Sequence, residues 1–238
     1  MKEYFGKSSA FYKQTKGKRY LLMPAIRRAV PKVKIGNFLD IGCGRGDFCE
    51  IANRKGYRFF GLDISKDMIS YARAENPAGE YSVASAKRFS GLYSQKFDVL
   101  VASMLLPAIS GKKEIVQILK ECQRVLKRGS RLILGVTYPP MDHYMQSFLF
   151  NRKEVKTKFT GYYASGSKFA TSQEIEGQKF VFEDYHWTLQ DYFECIGAAG
   201  LRVEVIDECP PDPKSKSDKE FYIRRNNIPT YLVIVCTR

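Results

Sequence analysis

The stretch Phe38-Leu39-Asp40-Ile41-Gly42-Cys43-Gly44-Arg45-Gly46-Asp47 decides the fold. A short apolar run ends in an acid and passes into three glycines at alternate positions, after which a helical pattern begins. Glycines at such a junction let the chain turn sharply and bring its backbone close to a ligand. The first turn of the helix that follows offers unpaired N–H groups. Seventeen residues after Gly46 comes Asp63, at the end of a second apolar run, Phe59-Phe60-Gly61-Leu62-Asp63. In a doubly wound sheet both strand ends lie at the same carboxyl edge, so the Asp63 carboxylate can accept hydrogen bonds from ribose hydroxyls. Strand, turn, helix, strand and acid in that order predict a site for a nucleoside-type ligand.

Outward from this unit the same alternation continues. Candidate strands run from Phe38 to Ile41, Arg58 to Leu62, Tyr81 to Ala84, Phe97 to Ala102 and Arg131 to Val136, which is the pattern of a parallel sheet covered by helices. Between the last two, Ile115, Ile118, Leu119, Cys122, Val125 and Leu126 recur at helical spacing, and Gly129 is the expected stop. From residue 138 to 184 the pattern gives way to a polar and aromatic stretch read as an insertion or cap. Its aromatics, Phe148, Phe150, Phe159, Tyr162, Tyr163 and Phe169, fit either a cap core or a substrate wall. Thr188, with Asp191 three residues on, opens a further helix that Gly200 ends. Strands Leu201 to Ile206 and Thr230 to Cys236 follow, separated by a long loop.

The expected architecture is one α/β domain with a Rossmann-like, seven-stranded, mostly parallel sheet, helices on both faces and one late antiparallel strand. Residues 1–35 form a basic helical lid, 36–137 the cofactor-binding core, 138–184 the cap, and 185–238 the helix and strands that complete the sheet. A length of 238 residues suits one domain, and an apolar fraction of 44% supports a sizeable core. No apolar run is long enough to span a bilayer, and the first twenty residues are too polar for a signal peptide, so a soluble, cytoplasmic protein is expected. Its six cysteines lack Cys-x-x-Cys spacing, which argues for reduced, buried thiols and against a zinc site.

Ligand choice follows from charge. The dinucleotide fingerprint is Gly-x-Gly-x-x-Gly, whereas here the spacing is Gly-x-Gly-x-Gly and Asp47 stands where the third glycine would fall. An acid at the helix start repels a pyrophosphate, and Asp40 at the strand end suits a ligand with an ammonium group. Both features favour S-adenosylmethionine over NAD. The net charge of +14 is concentrated at the start, where residues 1–35 hold ten Lys and Arg against Glu3 alone. Such a segment can hold nucleic acid or an anionic substrate, or can simply be a solvated face.

These residues resemble the class I S-adenosylmethionine-dependent methyltransferases. The resemblance rests on Asp40-x-Gly42-x-Gly44-x-Gly46, Gly61-x-Asp63, Phe97-Asp98-Val99-Leu100-Val101 and Leu126-Lys127-Arg128-Gly129-Ser130-Arg131-Leu132. It implies that Asp40, Gly42, Cys43, Gly44 and Gly46 hold the methionine end and Asp63 the ribose. Ile64, Met68, Ser85 and Ala86 then lie on the nucleoside side, and Ser103 and Met104 form the far wall. Many relatives have an adenine-binding Asp where this chain has the neutral Ser85. Tyr12 and Arg19 are the lid residues expected nearest the cofactor.

The stretch Tyr185-His186-Trp187-Thr188-Leu189, then Ala199-Gly200-Leu201 and Ile228-Pro229, is similar to the small-molecule branch, including toxoflavin-synthase-like enzymes. Those relatives often carry Arg at the position of Trp187 and His-Pro at Tyr138-Pro139. The implied reaction is methyl transfer to an oxygen or nitrogen of a small molecule, with no metal. RNA methylation through the basic terminus and a non-catalytic ligand-binding subunit are the alternatives. His186, one of two histidines, is the candidate general base because its unperturbed pKa suits proton removal near neutrality. His143 lies in a Pro-rich loop, and Asp98 at a strand start reads as structural.

Overall fold

The computed structural model describes residues 17–94, 96–144, 161–175, 178–219 and 229–238, without the side chains of 142–144 and 170–182. A π-type turn, Lys18–Leu22, leads into α1 (Met23–Ala29). Then follow β1 (Gly36–Ile41), α2 (Cys49–Arg54), β2 (Tyr57–Asp63), α3 (Lys66–Glu75), β3 (Glu80–Val83), β4 (Phe97–Ser103), α4 (Lys112–Val125) and β5 (Leu126–Thr137). The chain continues through α5 (Pro139–Tyr144), β6 (Lys168–Ile175), β7 (Gln178–Tyr185), α6 (Leu189–Ala198), β8 (Arg202–Asp207) and β9 (Tyr231–Thr237).

Seven strands form one sheet in the order β3-β2-β1-β4-β5-β9-β8. The pairs among β1 to β5 are parallel, and β9 runs antiparallel to both β5 and β8. This is the Rossmann-like sheet expected from the strand spacing, with β9 as the late reversed strand. The order reverses at β1, whose neighbours are β2 on one side and β4 on the other, and ligands of open α/β sheets bind outside the carboxyl ends at that point. Phe38, Leu39, Val99, Leu100, Ile133 and Leu134 are fully buried, as continuous apolar strands covered on both faces should be.

Two boundaries differ from the sequence reading. Helix α4 stops at Val125, because Leu126 turns extended (φ −74°, ψ 132°) and pairs with Phe97. The apolar side chain at 126 gains more in the sheet than in another helical turn. Gly129, at φ 73°, lies in the irregular start of β5 where the register against β4 shifts, instead of closing the helix. The segment read as a cap also contains regular structure among its described residues. Strands β6 and β7 form a separate antiparallel hairpin in continuous register from Lys168↔Tyr185 to Ile175↔Gln178.

The second half of the basic N-terminal segment belongs to the core. Leu21, Leu22, Ala25, Ile26 and Val30 are buried, packed with Phe38, Val99, Ile133 and Val233. Each such Leu or Ile contributes on the order of 1.5 to 3 kcal/mol by leaving water. Its charges are partly committed as well, since Arg28 pairs with Asp207 at 2.8 Å and Arg27 with Asp212 at 3.8 Å. All six cysteines are free thiols and buried. Among the described residues no helix is long and apolar enough to cross a membrane.

Candidate active site

At the end of β1 the backbone makes the turn that the glycines permit. Gly42, Gly44 and Gly46 adopt φ of 74°, 52° and 81°, a left-handed region that costs other residues roughly 1 kcal/mol or more. The loop is tied to β2, since the N–H groups of Gly42 and Cys43 both donate to the Leu62 carbonyl, at 2.8 and 2.9 Å. Asp63 completes the tie. Its Oδ2 accepts from Gly44 N–H and its Oδ1 from Ser65 N–H, each at 2.9 Å. Burial raises the Asp63 pKa, and the bonds from Ser65 and Gly44 oppose the shift. Each oxygen keeps a lone pair for another donor.

A side chain at Gly44 would meet nothing within 4 Å, so the loop opens onto free space there. At Gly61 the opposite holds. A Cβ would lie 2.8 Å from Cys43 Sγ and 2.9 Å from Tyr81 Cδ1, which explains a small residue at 43 packed over a glycine at 61.

Around this cradle the other strand ends converge. Asp40 is 1% exposed and has no hydrogen bond or ion pair to its carboxylate among the described residues. Burial pushes its pKa well above the usual carboxylate range, with Asp47 and Asp63 adding repulsion and Lys18 opposing it. Ile64 follows Asp63 with 39% of its surface open. Ser85 and Ala86 lie half-buried after β3, and Ser85 Oγ accepts from Lys87 N–H at 3.3 Å. Ser103 ends β4, and Met104 adopts φ 56°, with its N–H on the Gly135 carbonyl at 2.7 Å. A left-handed Met is strained, and such strain concentrates where a loop must present itself to a ligand. Met68 differs from these, being 3% exposed in the first turn of α3, where its N–H is capped by Ser65 Oγ.

Of the remaining site expectations, Arg19 is exposed and lies over the Tyr20 ring at 5.4 Å. Burial lowers the pKa of the adjacent Lys18, against the pull of Asp47, Asp184 and Asp40. Tyr12 lies outside the described residues. His186 is 0% exposed, and its Nε2 is 2.7 Å from the Tyr162 carbonyl oxygen. Its backbone extends the cap ladder, accepting from Gly166 N–H and donating to the Ser167 carbonyl. The ring is enclosed at the base of the cap among the described residues. His186→Ala should cost about 1 to 3 kcal/mol by leaving the Tyr162 carbonyl unpaired, seen as a lower melting temperature, and His186→Gln should recover part of it.

The remaining candidates divide between packing and surface. Phe169 is buried, Tyr162 meets the His186 ring edge-on at 5.6 Å, and Tyr163 is 91% exposed. Phe148, Phe150 and Phe159 fall outside the described residues, as does the His143 side chain. Asp98 is structural, accepting from Asn37 N–H and from Lys127 Nζ, both at 2.8 Å.

Lys18 and Asp184 were not legible beforehand. Lys18 is one of ten cations in its segment, and Asp184 lies in a strand of weak alternation.

Comparison with known proteins agrees with this geometry. A family model described as a methyltransferase domain matches residues 39–134. The chain is 25% identical over 179 residues to the N-demethylindolmycin N-methyltransferase of Streptomyces griseus, covering 74% of this chain and 73% of that one. It is 32% identical over 104 residues to the demethylmenaquinone methyltransferase of Thermotoga maritima, covering 43% and 44%. Among solved structures, an S-adenosylmethionine-dependent methyltransferase from Mesorhizobium loti superposes with a TM-score of 0.67 at 20% identity, over 90% of this chain and 96% of that one. The sheet order, the glycine loop tied to an acid on β2 and these similarities lead to one assignment: residues 39–134 carry a methyltransferase domain, in a chain with the Rossmann-like fold of the S-adenosylmethionine-dependent methyltransferases.

Proposed function

We propose that this enzyme transfers a methyl group from S-adenosylmethionine to an oxygen or nitrogen of a small molecule, as in the small-molecule branch of its family. The observation that carries the cofactor side is the unpaired, buried Asp40 beside an open glycine cradle. A buried carboxylate without a partner costs stability unless a ligand supplies the cation, and the ammonium of the methionine end does so. In this reading Gly42, Cys43 and Gly44 pass under the methionine chain, and Asp63 accepts from the ribose hydroxyls. Ile64, Ser85 and Ala86 border the adenine, and Ser103 and Met104 close the far side. Asp47, like Asp40, opposes the phosphates of a dinucleotide.

The observation that favours a small acceptor is the hairpin β6–β7 over the ends of the strands. Strand β7 packs on the turn Leu106–Ala108 that follows β4, and the Trp187 indole N–H donates to the Ile109 carbonyl at 3.1 Å. A mouth narrowed in this way suits a compact molecule. The names of the two curated relatives, which refer to demethylindolmycin and demethylmenaquinone, point the same way. The sulfonium supplies an already activated methyl group. The protein's contribution is to align the acceptor, exclude water and accept a proton where one is released.

A second reading, transfer to RNA, draws on a groove of about 850 Å³ along α4 lined by Lys87, Arg88, Lys113, Lys120 and Arg124. Calorimetry with S-adenosylmethionine, S-adenosylhomocysteine and NADH tests the cofactor, with binding of the first two and not the third expected. Methyl transfer from labelled cofactor to small-molecule extracts, rather than to total RNA with a steep salt dependence, tests the acceptor class. NADH binding would overturn the first assignment, and salt-sensitive RNA labelling the second.

A further inference from the structure

We infer that Glu121, on α4, is a positioning residue for the base of the cofactor: it fixes the loop after β3 and, through that loop, Ser85 and Ala86. The inference rests on the proposed reading, in which those two residues border the adenine, and adds what holds them there.

Strand β3 brings the loop to the cradle. Ala84, one residue past the end of the strand, donates its N–H to the Asp63 carbonyl at 2.9 Å, and Asp63 is the acid that ties the glycine loop. The chain then turns back on itself, with Lys87 N–H on Ser85 Oγ at 3.3 Å and Arg88 N–H on the Ser85 carbonyl at 3.1 Å. Bonds within a turn fix its shape but not its tilt against the sheet. The tilt is set where the far end is held.

Helix α4 holds that end. Glu114, Gln117 and Glu121 recur at i, i+3 and i+7, so they share one face of the helix, and each meets the loop. Glu114 pairs with Lys87 Nζ, and Gln117 Nε2 donates to the Lys87 carbonyl at 2.9 Å. Glu121 makes the innermost grip, its Oε2 accepting from both Phe89 N–H and Ser90 N–H at 2.8 Å while Oε1 pairs with Arg124. Glu121 is 4% exposed and Phe89 1%, so water has little room to replace the carboxylate. Bonds to a charged acceptor are also the stronger kind. With this grip removed, Ser85 and Ala86 would occupy the productive placement for only part of the time, and affinity falls in proportion to that fraction.

Hydrogen exchange and calorimetry with S-adenosylhomocysteine test this together. In wild-type protein the ligand should slow exchange across residues 84–90 as well as at the glycine loop. Glu121→Ala should weaken the ligand about tenfold and speed exchange across 84–90 in the free protein, with the glycine loop changed less than about twofold. Saturating ligand should restore the protection. Glu121→Gln should bind within about threefold of wild type, because an amide oxygen can accept both of the N–H groups that Oε2 holds. Gln117→Ala removes an outer grip at an exposed residue and spares the core, so it keeps the test open if Glu121→Ala does not fold; a loss of about threefold is expected. The proposal is overturned if Glu121→Ala, or in its place Gln117→Ala, binds as wild type does. It is equally overturned by a Gln variant as weak as the Ala variant, or by wild-type protein in which the ligand leaves 84–90 unprotected. Each of these results leaves the methyltransferase reading intact, whereas failure of wild-type protein to bind S-adenosylhomocysteine would overturn both.

Discussion

Asp63→Ala is expected to weaken S-adenosylhomocysteine binding by about 100-fold or more, the larger of two losses anticipated at the cradle. In the structure this carboxylate already performs one task, holding Gly44 N–H and Ser65 N–H at 2.9 Å each. In the proposed complex it performs a second, accepting from the ribose. Removing it deletes the ligand contacts and also frees the loop that shapes the cradle, and charge-assisted bonds contribute on the order of 1.5 to 3 kcal/mol apiece. The loss therefore exceeds that of one hydrogen bond. Isothermal calorimetry measures it, with circular dichroism to verify that the sheet persists. An affinity within about threefold of wild type would refute the role of Asp63 in both tasks.

Asp40→Asn should move stability and binding in opposite directions. Burial, and repulsion from Asp47 and Asp63, raise the folded-state pKa of Asp40 above its unfolded value. The sign follows from proton linkage: the folded state holds the proton more tightly, so this group's contribution is most favourable below the unfolded pKa. That contribution is lost as pH rises through the folded pKa. Above the unfolded pKa the ligand-free protein bears a cost, either a buried charge or a proton held on a buried carboxyl, which Asn removes. The variant should then melt higher by roughly 2 to 4 °C for each kcal/mol recovered in a chain of this size, and should lose the wild type's gain in stability on mild acidification. Its affinity for S-adenosylhomocysteine should fall about 10- to 100-fold, because the ammonium loses its anionic partner. Calorimetric melting of the free protein, beside ligand titration, measures both. A variant that melts lower and binds normally would place Asp40 in the structural class.

The buried acids also differ in how their charges are satisfied. Glu121 is buried on α4, and it accepts from Phe89 N–H and Ser90 N–H at 2.8 Å while pairing with Arg124. Burial alone would raise its pKa, but the bonds from Ser90 and Phe89 outweigh it, and the net shift is downward. Its charge is satisfied within the protein, and it locks the loop after β3 that borders the proposed adenine position. Asp40 and Asp184 lack such partners.

The sheet and the glycine turn were readable from sequence because their determinants are local. Three glycines at alternate positions specify a turn that L side chains resist, and apolar runs covered on both faces specify parallel strands. An acid at a strand end is carried to the carboxyl edge by the strand itself. The Thr188–Asp191 capping box is likewise a matter of residues three apart, and the structure contains it. The acceptor half depended on contacts between distant segments. Whether Lys18 or Arg19 turns inward depends on how Leu21 and Leu22 pack beneath the sheet, about 110 residues along the chain from their partners near Ile133. His186 looked reactive by scarcity, but the ladder with Gly166 and Ser167 buries it. Which of the adjacent acids Glu183 and Asp184 lies on the Lys168 side is set only by the pairing of β6 with β7. A one-residue change in that register would exchange Glu183 for Asp184, and register is a property of the folded hairpin that composition does not encode.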